Sequence, residues 1–173
     1  MRVRTGIMLL LFMLLGIFPF AVGFRLAEAT ESITSASSTI IFPLLFPKLS
    51  SKYGSRLHPI KKIVKHHGGV DLAAPEKSHV RAIMAGRVVF AGTLPGYGKI
   101  VTVEHSSGEY SLYGHLSEIL LGVGTKVDAG TLIGRVGSTG SATGPHLHFE
   151  WRENGKLIDP LKKFPSLASD PVG

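Results

Sequence analysis

Hydrophobic and polar residues alternate over short stretches through most of this chain, and turn residues separate the stretches. The alternation predicts strands over 80–93, interrupted at Ala85-Gly86, and over 100–105 and 109–116. Ser106-Ser107-Gly108 lies between the last two stretches and is typical of a hairpin turn. The chain is therefore expected to double back on itself here.

The same pattern continues towards the C-terminus. Strands are predicted over 132–136, 146–152 and 156–158, with Glu153-Asn154-Gly155 as the turn between the last two. Short strands separated by turn signals are typical of a sandwich or a barrel. Because no helical segments alternate with the strands, a Rossmann-like fold is unsupported. We predict an all-β fold.

The first 29 residues are expected to be a signal peptide. Arg2 and Arg4 precede an apolar run over 6–24, and Ala27-Glu28-Ala29 matches a small-x-small cleavage pattern. The alternative is an uncleaved membrane anchor, since the run is nearly long enough to span a bilayer. The cleavage pattern and a proline within the run favour cleavage. We therefore predict export to the periplasm or cell wall, without stable membrane insertion after cleavage.

Composition divides the remaining chain into three parts. Residues 30–42 are rich in Ser, Thr and Ala and predict a linker or disordered stub. Residues 43–161 are dense in Gly, Val and Ile and contain the predicted strands, so they form the predicted domain. Residues 162–173 contain two prolines and predict a loose tail.

Charge narrows the choice of partner. The full chain carries a formal charge of +7, and removal of residues 1–29, with three arginines and one glutamate, leaves about +5. A basic exported protein suits a polyanionic partner such as a cell wall, whereas nucleic acid does not fit export. The chain has no cysteine, so it contains no disulfide and no cysteine for lipid attachment.

Two short motifs carry candidate metal chemistry. His146 and His148 are two residues apart in a predicted strand, so their side chains project from the same face. His67 and Asp71 are four residues apart around a Gly-Gly pair. Histidine and aspartate are good zinc ligands, and three protein ligands with one open position suit a catalytic zinc site.

Five motifs occur in an order that resembles the lysostaphin/LytM-type zinc metallopeptidases, over about residues 52–161. They are Tyr53-Gly54-Ser55-Arg56-Leu57-His58-Pro59, His67-x-x-x-Asp71, Tyr113-Gly114-His115-Leu116, Gly137-Ser138-Thr139-Gly140 and Thr143-Gly144-Pro145-His146-Leu147-His148-Phe149-Glu150. The resemblance implies an antiparallel β-sheet sandwich or half-barrel, with a metal on the floor of a groove. It also implies peptide stems or cross-bridges of bacterial peptidoglycan as substrates.

The resemblance also implies roles for individual residues. It makes His67, Asp71 and His148 ligands of one Zn²⁺ per chain, and it makes His115 and His146 uncoordinated catalytic residues. Zinc would activate a water molecule that attacks the scissile carbonyl. One free histidine would accept the proton of that water, and the other would donate to the oxyanion. The sequence leaves open which histidine has which role.

Several neighbouring residues have two interpretations. His66 competes with His67 as a ligand, although the spacing to Asp71 favours His67. Arg56 could bind a substrate carboxylate or form a structural salt bridge. The segments 94–98 and 137–144 are expected to wall the groove. Within the first, Tyr97 could stack on substrate or be a plain turn residue.

Three functions are consistent with the sequence. The favoured one is a zinc endopeptidase that hydrolyses peptidoglycan cross-links. The second is a non-catalytic relative that binds the wall or activates an amidase, and the third is a metallopeptidase acting on a Gly-rich protein. Degenerate relatives typically lose ligands, and all five implied positions are present here, which favours the first function.

Overall fold

The computed structural model of the protein describes residues 39–57, 63–106 and 108–165. The predicted signal peptide, residues 30–38 of the predicted stub and residues 166–173 of the predicted tail lie outside these ranges. Within the described residues, no helix has both the length and the apolar character needed to cross a membrane.

Twelve strands and one short helix make up the described part of the chain. The strands are β1 Lys48–Ser51, β2 Gly54–Leu57, β3 Val64–His67, β4 Val70–Ala73, β5 His79–Arg81, β6 Gly86–Leu94, β7 Gly98–Ser106, β8 Glu109–Ile119, β9 Lys126–Val127, β10 Leu132–Val136, β11 His146–Glu153 and β12 Lys156–Ile158. The helix is α1 Pro160–Lys163. The predicted all-β class is confirmed, and Ala85-Gly86 marks the break between β5 and β6.

The strands form one large antiparallel sheet and a separate two-stranded ribbon. The main path of the sheet runs β1-β4-β11-β8-β7-β6-β9, while β10 joins β5 and β8, and β12 extends β11. The ribbon consists of β2 and β3. Strands β4, β11 and β8 are neighbours near the middle of the path, and they carry four of the five predicted site residues.

Strand β11 shows how the sheet separates core from groove. Successive side chains of a strand point to opposite faces. One face is fully buried and consists of Leu147, Phe149 and Trp151. The opposite face carries the polar residues His146, His148 and Glu150. Burial of the aromatic face therefore anchors the strand and sets its polar face in the groove.

The core continues beyond the predicted domain boundary at residue 161. Asp159 caps α1 by accepting a hydrogen bond from the backbone N–H of Leu161 at 3.0 Å. Phe164 follows the helix, is 3% exposed, and packs edge-on against Trp151 with ring centroids 5.0 Å apart. Residues 162–164, which composition assigned to a loose tail, therefore pack on the domain. Burial of a large aromatic ring holds this segment.

Candidate active site

His67, Asp71 and His148 form a tight, buried cluster. Asp71 on β4 and His148 on β11 are direct cross-strand partners, and His67 ends β3. His67 Nε2 lies 3.0 Å from Asp71 Oδ1 and 3.1 Å from His148 Nδ1. His148 Nδ1 in turn lies 2.9 Å from Asp71 Oδ1. The register of two strands and the end of a third thus bring the three predicted ligands together.

Hydrogen bonds on the outer side of each ring determine which nitrogen faces inward. His67 Nδ1 lies 2.8 Å from the carbonyl oxygen of Lys52. A carbonyl only accepts, so Nδ1 carries the proton and Nε2 presents a lone pair. His148 likewise places Nε2 3.1 Å from Glu150 Oε1 and turns Nδ1 inward.

This donor set fits a metal ion. The three inward ligand atoms, two imidazole nitrogens and one carboxylate oxygen, lie within 4.8 Å of one another. In the neutral rings all three are acceptors with no proton between them, so a cation would relieve their mutual repulsion. Nitrogen and oxygen ligands of this kind are those that zinc uses in catalytic sites.

The electrostatics of the cluster also favour positive charge. Burial alone would raise the pKa of Asp71, but the interactions with His148 and His67 outweigh burial and hold that pKa well below its usual range. Burial lowers the pKa of His148, but Asp71 and Glu150 outweigh it and the net pKa is raised. The surroundings of the three ligand atoms therefore favour a positive charge at this position.

His115 reaches the groove because of a β-bulge in β8. Lys99 pairs with Leu116 and Val101 pairs with Tyr113, so β8 has one residue more than β7 between these pairs. His115 has a φ of +59°, a left-handed conformation that is uncommon outside glycine. Its N–H donates to the carbonyl of Tyr97 at 2.8 Å, which fixes this conformation.

The imidazole of His115 is held neutral. Its Nδ1 lies 2.8 Å from the carbonyl of Thr139, so Nδ1 donates and Nε2 keeps a lone pair. Burial lowers the pKa of His115 to about 4, and the backbone hydrogen bond only partly opposes this. Near neutral pH the ring is therefore unprotonated and keeps a lone pair on Nε2.

His146 is oriented in the same way from the neighbouring strand. Its Nδ1 lies 2.8 Å from the carbonyl of Gly144, and its Nε2 lies 3.7 Å from Asp71 Oδ1. The rings of His115 and His146 are 4.7 Å apart. Two imidazoles thus lie beside the cluster. In each, the backbone carbonyl bonds Nδ1, so Nε2 does not share that bond.

Two loops wall a groove of about 870 Å³ above these residues. Pro95, Gly96 and Tyr97 line it from one loop, and Ser141 and residues 143–145 line it from the other. The loops pack closely, because a Cβ on Gly140 would lie 2.3 Å from the backbone nitrogen of Gly98. Both segments predicted to wall the groove therefore do so.

His66 and Arg56 both lie beside the cluster, in different surroundings. His66 is exposed and packs edge-on against Tyr53, with ring centroids 4.8 Å apart, whereas His67 is buried in the cluster. Arg56 Nη2 lies 3.2 Å from Asp71 Oδ2, so it forms a salt bridge with a candidate ligand.

The sequence analysis did not predict the hydrogen bonds that Glu150 and Tyr97 form beside the cluster. Glu150 is 1% exposed and accepts hydrogen bonds beneath His148. Tyr97 was expected to stack on substrate or to form a turn, yet its hydroxyl donates to Glu150 Oε1 at 2.8 Å. The available signal was the position of Glu150, two residues after His148 and thus on the same strand face.

Comparisons with known proteins agree with this geometry. The sequence model of Peptidase family M23 matches residues 65–160. DD-carboxypeptidase/endopeptidase Mpg of Neisseria meningitidis is 45% identical over 121 residues, which cover 70% of this chain and 28% of Mpg. Murein hydrolase activator EnvC of Escherichia coli is also 45% identical, over 92 residues that cover 53% of this chain and 22% of EnvC. The chain thus spans less than a third of these curated relatives.

A solved structure supports the same assignment. The catalytic domain of lysostaphin from Staphylococcus simulans superposes with a TM-score of 0.62 at 35% identity, covering 71% of this chain and 93% of that domain. The lysostaphin-type fold expected from sequence is thereby confirmed. Since the family model spans more than half of the sequence and the fold agrees, the chain belongs to peptidase family M23.

Proposed function

We propose that this protein is an exported zinc-dependent endopeptidase that hydrolyses peptide cross-links of bacterial peptidoglycan. One observation carries the proposal: three inward-facing acceptor atoms and two further imidazoles, those of His115 and His146, lie together in one groove. Relatives named as peptidoglycan endopeptidases, such as ShyA of Vibrio cholerae at 38% identity, support the substrate class.

The three clustered residues would hold the metal. His67, Asp71 and His148 supply two neutral nitrogens and one negative oxygen, so the ion would keep a net positive charge. Zinc bound there supplies a Lewis acid that polarises a carbonyl and acidifies water.

The two histidines outside the cluster would transfer the proton of the attacking water. His115 and His146 each have Nδ1 tied to a backbone carbonyl, so each accepts a proton at Nε2. One ring takes the proton of the attacking water and later returns it to the leaving amine. Because the ring centroids are 4.7 Å apart, a charge on one ring disfavours a charge on the other. The pair therefore carries one proton at a time. Donation to the developing oxyanion then falls to the ring that has taken the proton, and not to the other ring as the resemblance implied.

Digestion of purified peptidoglycan tests the proposal. The protein is incubated with wall material with and without a chelator, and the released muropeptides are identified by mass spectrometry. We expect chelator-sensitive loss of cross-linked dimers, which would also identify the bond that is cleaved. A zinc-loaded protein that leaves the wall intact would contradict the proposal.

An activator role is the second candidate, because the chain is 45% identical both to EnvC, a murein hydrolase activator, and to Mpg, over the matched residues. A non-catalytic activator needs neither metal nor free imidazoles. Wall cleavage by the purified protein alone, lost in His148→Ala, would exclude this role. A zinc-loaded protein that cleaves a Gly-rich protein but not the wall would instead indicate a protein substrate.

A further inference from the structure

Glu150 lies at the centre of a buried polar network beneath the metal cluster. The residue is 1% exposed, on the groove face of β11. Its Oε1 lies 3.1 Å from His148 Nε2 and 2.8 Å from the Tyr97 hydroxyl. Its Oε2 lies 3.0 Å from Arg152 Nε and 2.6 Å from Arg152 Nη2. A buried carboxylate is costly unless its oxygens have partners, and both oxygens have them here.

The network has a direct consequence for His148. A carboxylate accepts, so it favours the tautomer with a proton on Nε2, and a neutral ring then has its lone pair on Nδ1. Nδ1 is the atom that faces Asp71 Oδ1 at 2.9 Å. Histidines that bind metals usually donate their other N–H to such a partner, which fixes the ring and raises its basicity.

Tyr97 connects this network to the second half of the site. Its hydroxyl donates to Glu150, while its backbone carbonyl accepts from the N–H of His115 at 2.8 Å. Its ring also packs against His148, with centroids 5.6 Å apart. One residue therefore contacts both the support of a candidate ligand and the bulge that positions a candidate catalytic histidine.

The local chain leaves room for this carboxylate. A Cβ on Gly68 would lie 2.8 Å from Glu150 Oε1, so a larger residue at 68 would displace the oxygen that accepts from His148. A side chain at this position, between two candidate ligands, would therefore compete with Glu150 for the same space.

We propose that Glu150 is a positioning residue that holds the proton of His148 on Nε2, so that Nδ1 is the metal-binding atom, with Tyr97 and Arg152 fixing the carboxylate. The inference rests on the metal-binding part of the proposed function. It does not depend on which substrate the groove accepts.

Zinc affinity and the protonation of the ring test this inference together. Dissociation constants for zinc are measured by competition with a chromophoric chelator, for the wild type, Glu150→Gln and Tyr97→Phe. Glu153→Gln is the matched control, because Glu153 lies on the same strand but pairs with Lys163 and not with the site. Proton–nitrogen correlation NMR of the zinc-loaded proteins reports which nitrogen of His148 carries the proton.

We expect Glu150→Gln to weaken zinc binding about 10- to 100-fold, since its amide places N–H groups against Arg152 or His148. Tyr97→Phe removes one donor and should weaken binding about 3- to 10-fold. The control should bind like the wild type. If Glu150→Gln does not fold, Tyr97→Phe carries the test.

The outcomes separate this inference from the proposed function. Wild-type affinity in Glu150→Gln, or in Tyr97→Phe where only that variant folds, would overturn the inference. A His148 Nε2 without a proton in the zinc-loaded wild type would also overturn it. A wild type that binds no zinc would overturn both proposals, whereas zinc binding without wall cleavage would overturn the proposed function alone.

Discussion

Arg56 forms a salt bridge with one carboxylate oxygen of Asp71, while the other oxygen contacts the histidine cluster. Arg56 Nη2 lies 3.2 Å from Oδ2, while Oδ1 of the same group contacts His67 and His148. The guanidinium thus occupies one oxygen and leaves the other for the cluster. This arrangement favours a carboxylate that binds a metal through a single oxygen.

Replacement of Arg56 should therefore weaken metal binding without unfolding the protein. We expect Arg56→Gln to raise the zinc dissociation constant about 3- to 10-fold, because Asp71 loses a charged donor. Competition with a chelator measures the change. Arg135→Gln is the matched control, since Arg135 is equally exposed at 33% and pairs with Glu118 away from the site. Equal affinities in the two variants would contradict the assignment.

Ligand and non-ligand histidines should separate by their metal content. His148→Ala should lose both stoichiometric zinc and activity, because it removes a ligand. His115→Asn should keep zinc but lose activity about 10²- to 10⁴-fold. Asparagine tolerates the positive φ of this position, so the backbone is preserved. Metal analysis of the purified variants, together with wall digestion, distinguishes the two cases, and loss of zinc from His115→Asn would reverse the assignment.

The depressed pKa of His115 predicts an acid-sensitive contribution to stability. The folded pKa is about 4, whereas the ordinary value is 6.5, so between these values the unfolded chain binds more protons than the folded one. The free energy of unfolding contributed by this residue is therefore fully present above pH 6.5 and falls as the pH approaches 4.

This contribution is measured by urea unfolding of the metal-free wild type and His115→Asn at several pH values. The stability of the wild type relative to the variant should decrease from pH 6.5 to pH 4 and stay constant above pH 7. A difference that does not depend on pH would contradict the low pKa. The comparison cancels the groups that do not interact with His115, whereas His146, His148 and Asp71 do interact with it and contribute to the difference.

Gly69 is predicted to be essential for the fold. A Cβ there would lie 2.2 Å from the backbone oxygen of Phe149, which cannot move without disturbing β11. We expect Gly69→Ala to destabilise the protein by about 3 kcal/mol or more in urea unfolding. Gly122→Ala is the control, because a Cβ at 122 meets no atom of the described residues within 4 Å. Similar stability of both variants would show that the contact can relax.

Removal of metal should lower thermal stability. The three clustered residues come from separate strands, so the complete site exists only in the folded protein. A ligand that binds only the folded state stabilises it by about 2.7 kcal/mol at a free concentration 100 times its dissociation constant. Calorimetry before and after chelation should show a lower melting temperature, and an unchanged value after verified metal removal would count against the site.

Local pattern was sufficient for the parts of the site that lie on regular strands. The spacing of His146 and His148 predicts a shared face, and β11 has that geometry because its other face is buried in the core. The spacing of His67 and Asp71 predicts a second pair. Strand register then places Asp71 opposite His148, a relation that alternation alone does not fix.

The remaining features depend on irregular backbone and long-range contacts. Regular alternation would direct His115 towards the core beside Tyr113, and only the bulge with its positive φ turns it into the groove. The bond between Tyr97 and Glu150 joins residues 53 positions apart, through a loop whose path depends on packing against Gly140. No sequence period encodes such contacts.

Both candidate catalytic imidazoles are oriented by carbonyl groups of a single loop, those of Thr139 and Gly144. These bonds use the main chain, so they place little demand on the identity of neighbouring side chains. Ser141 and Thr143 line the groove from the same loop. Their side chains can therefore be exchanged to reshape the groove while both imidazoles stay in place, so the groove lining can diverge independently of the histidine geometry.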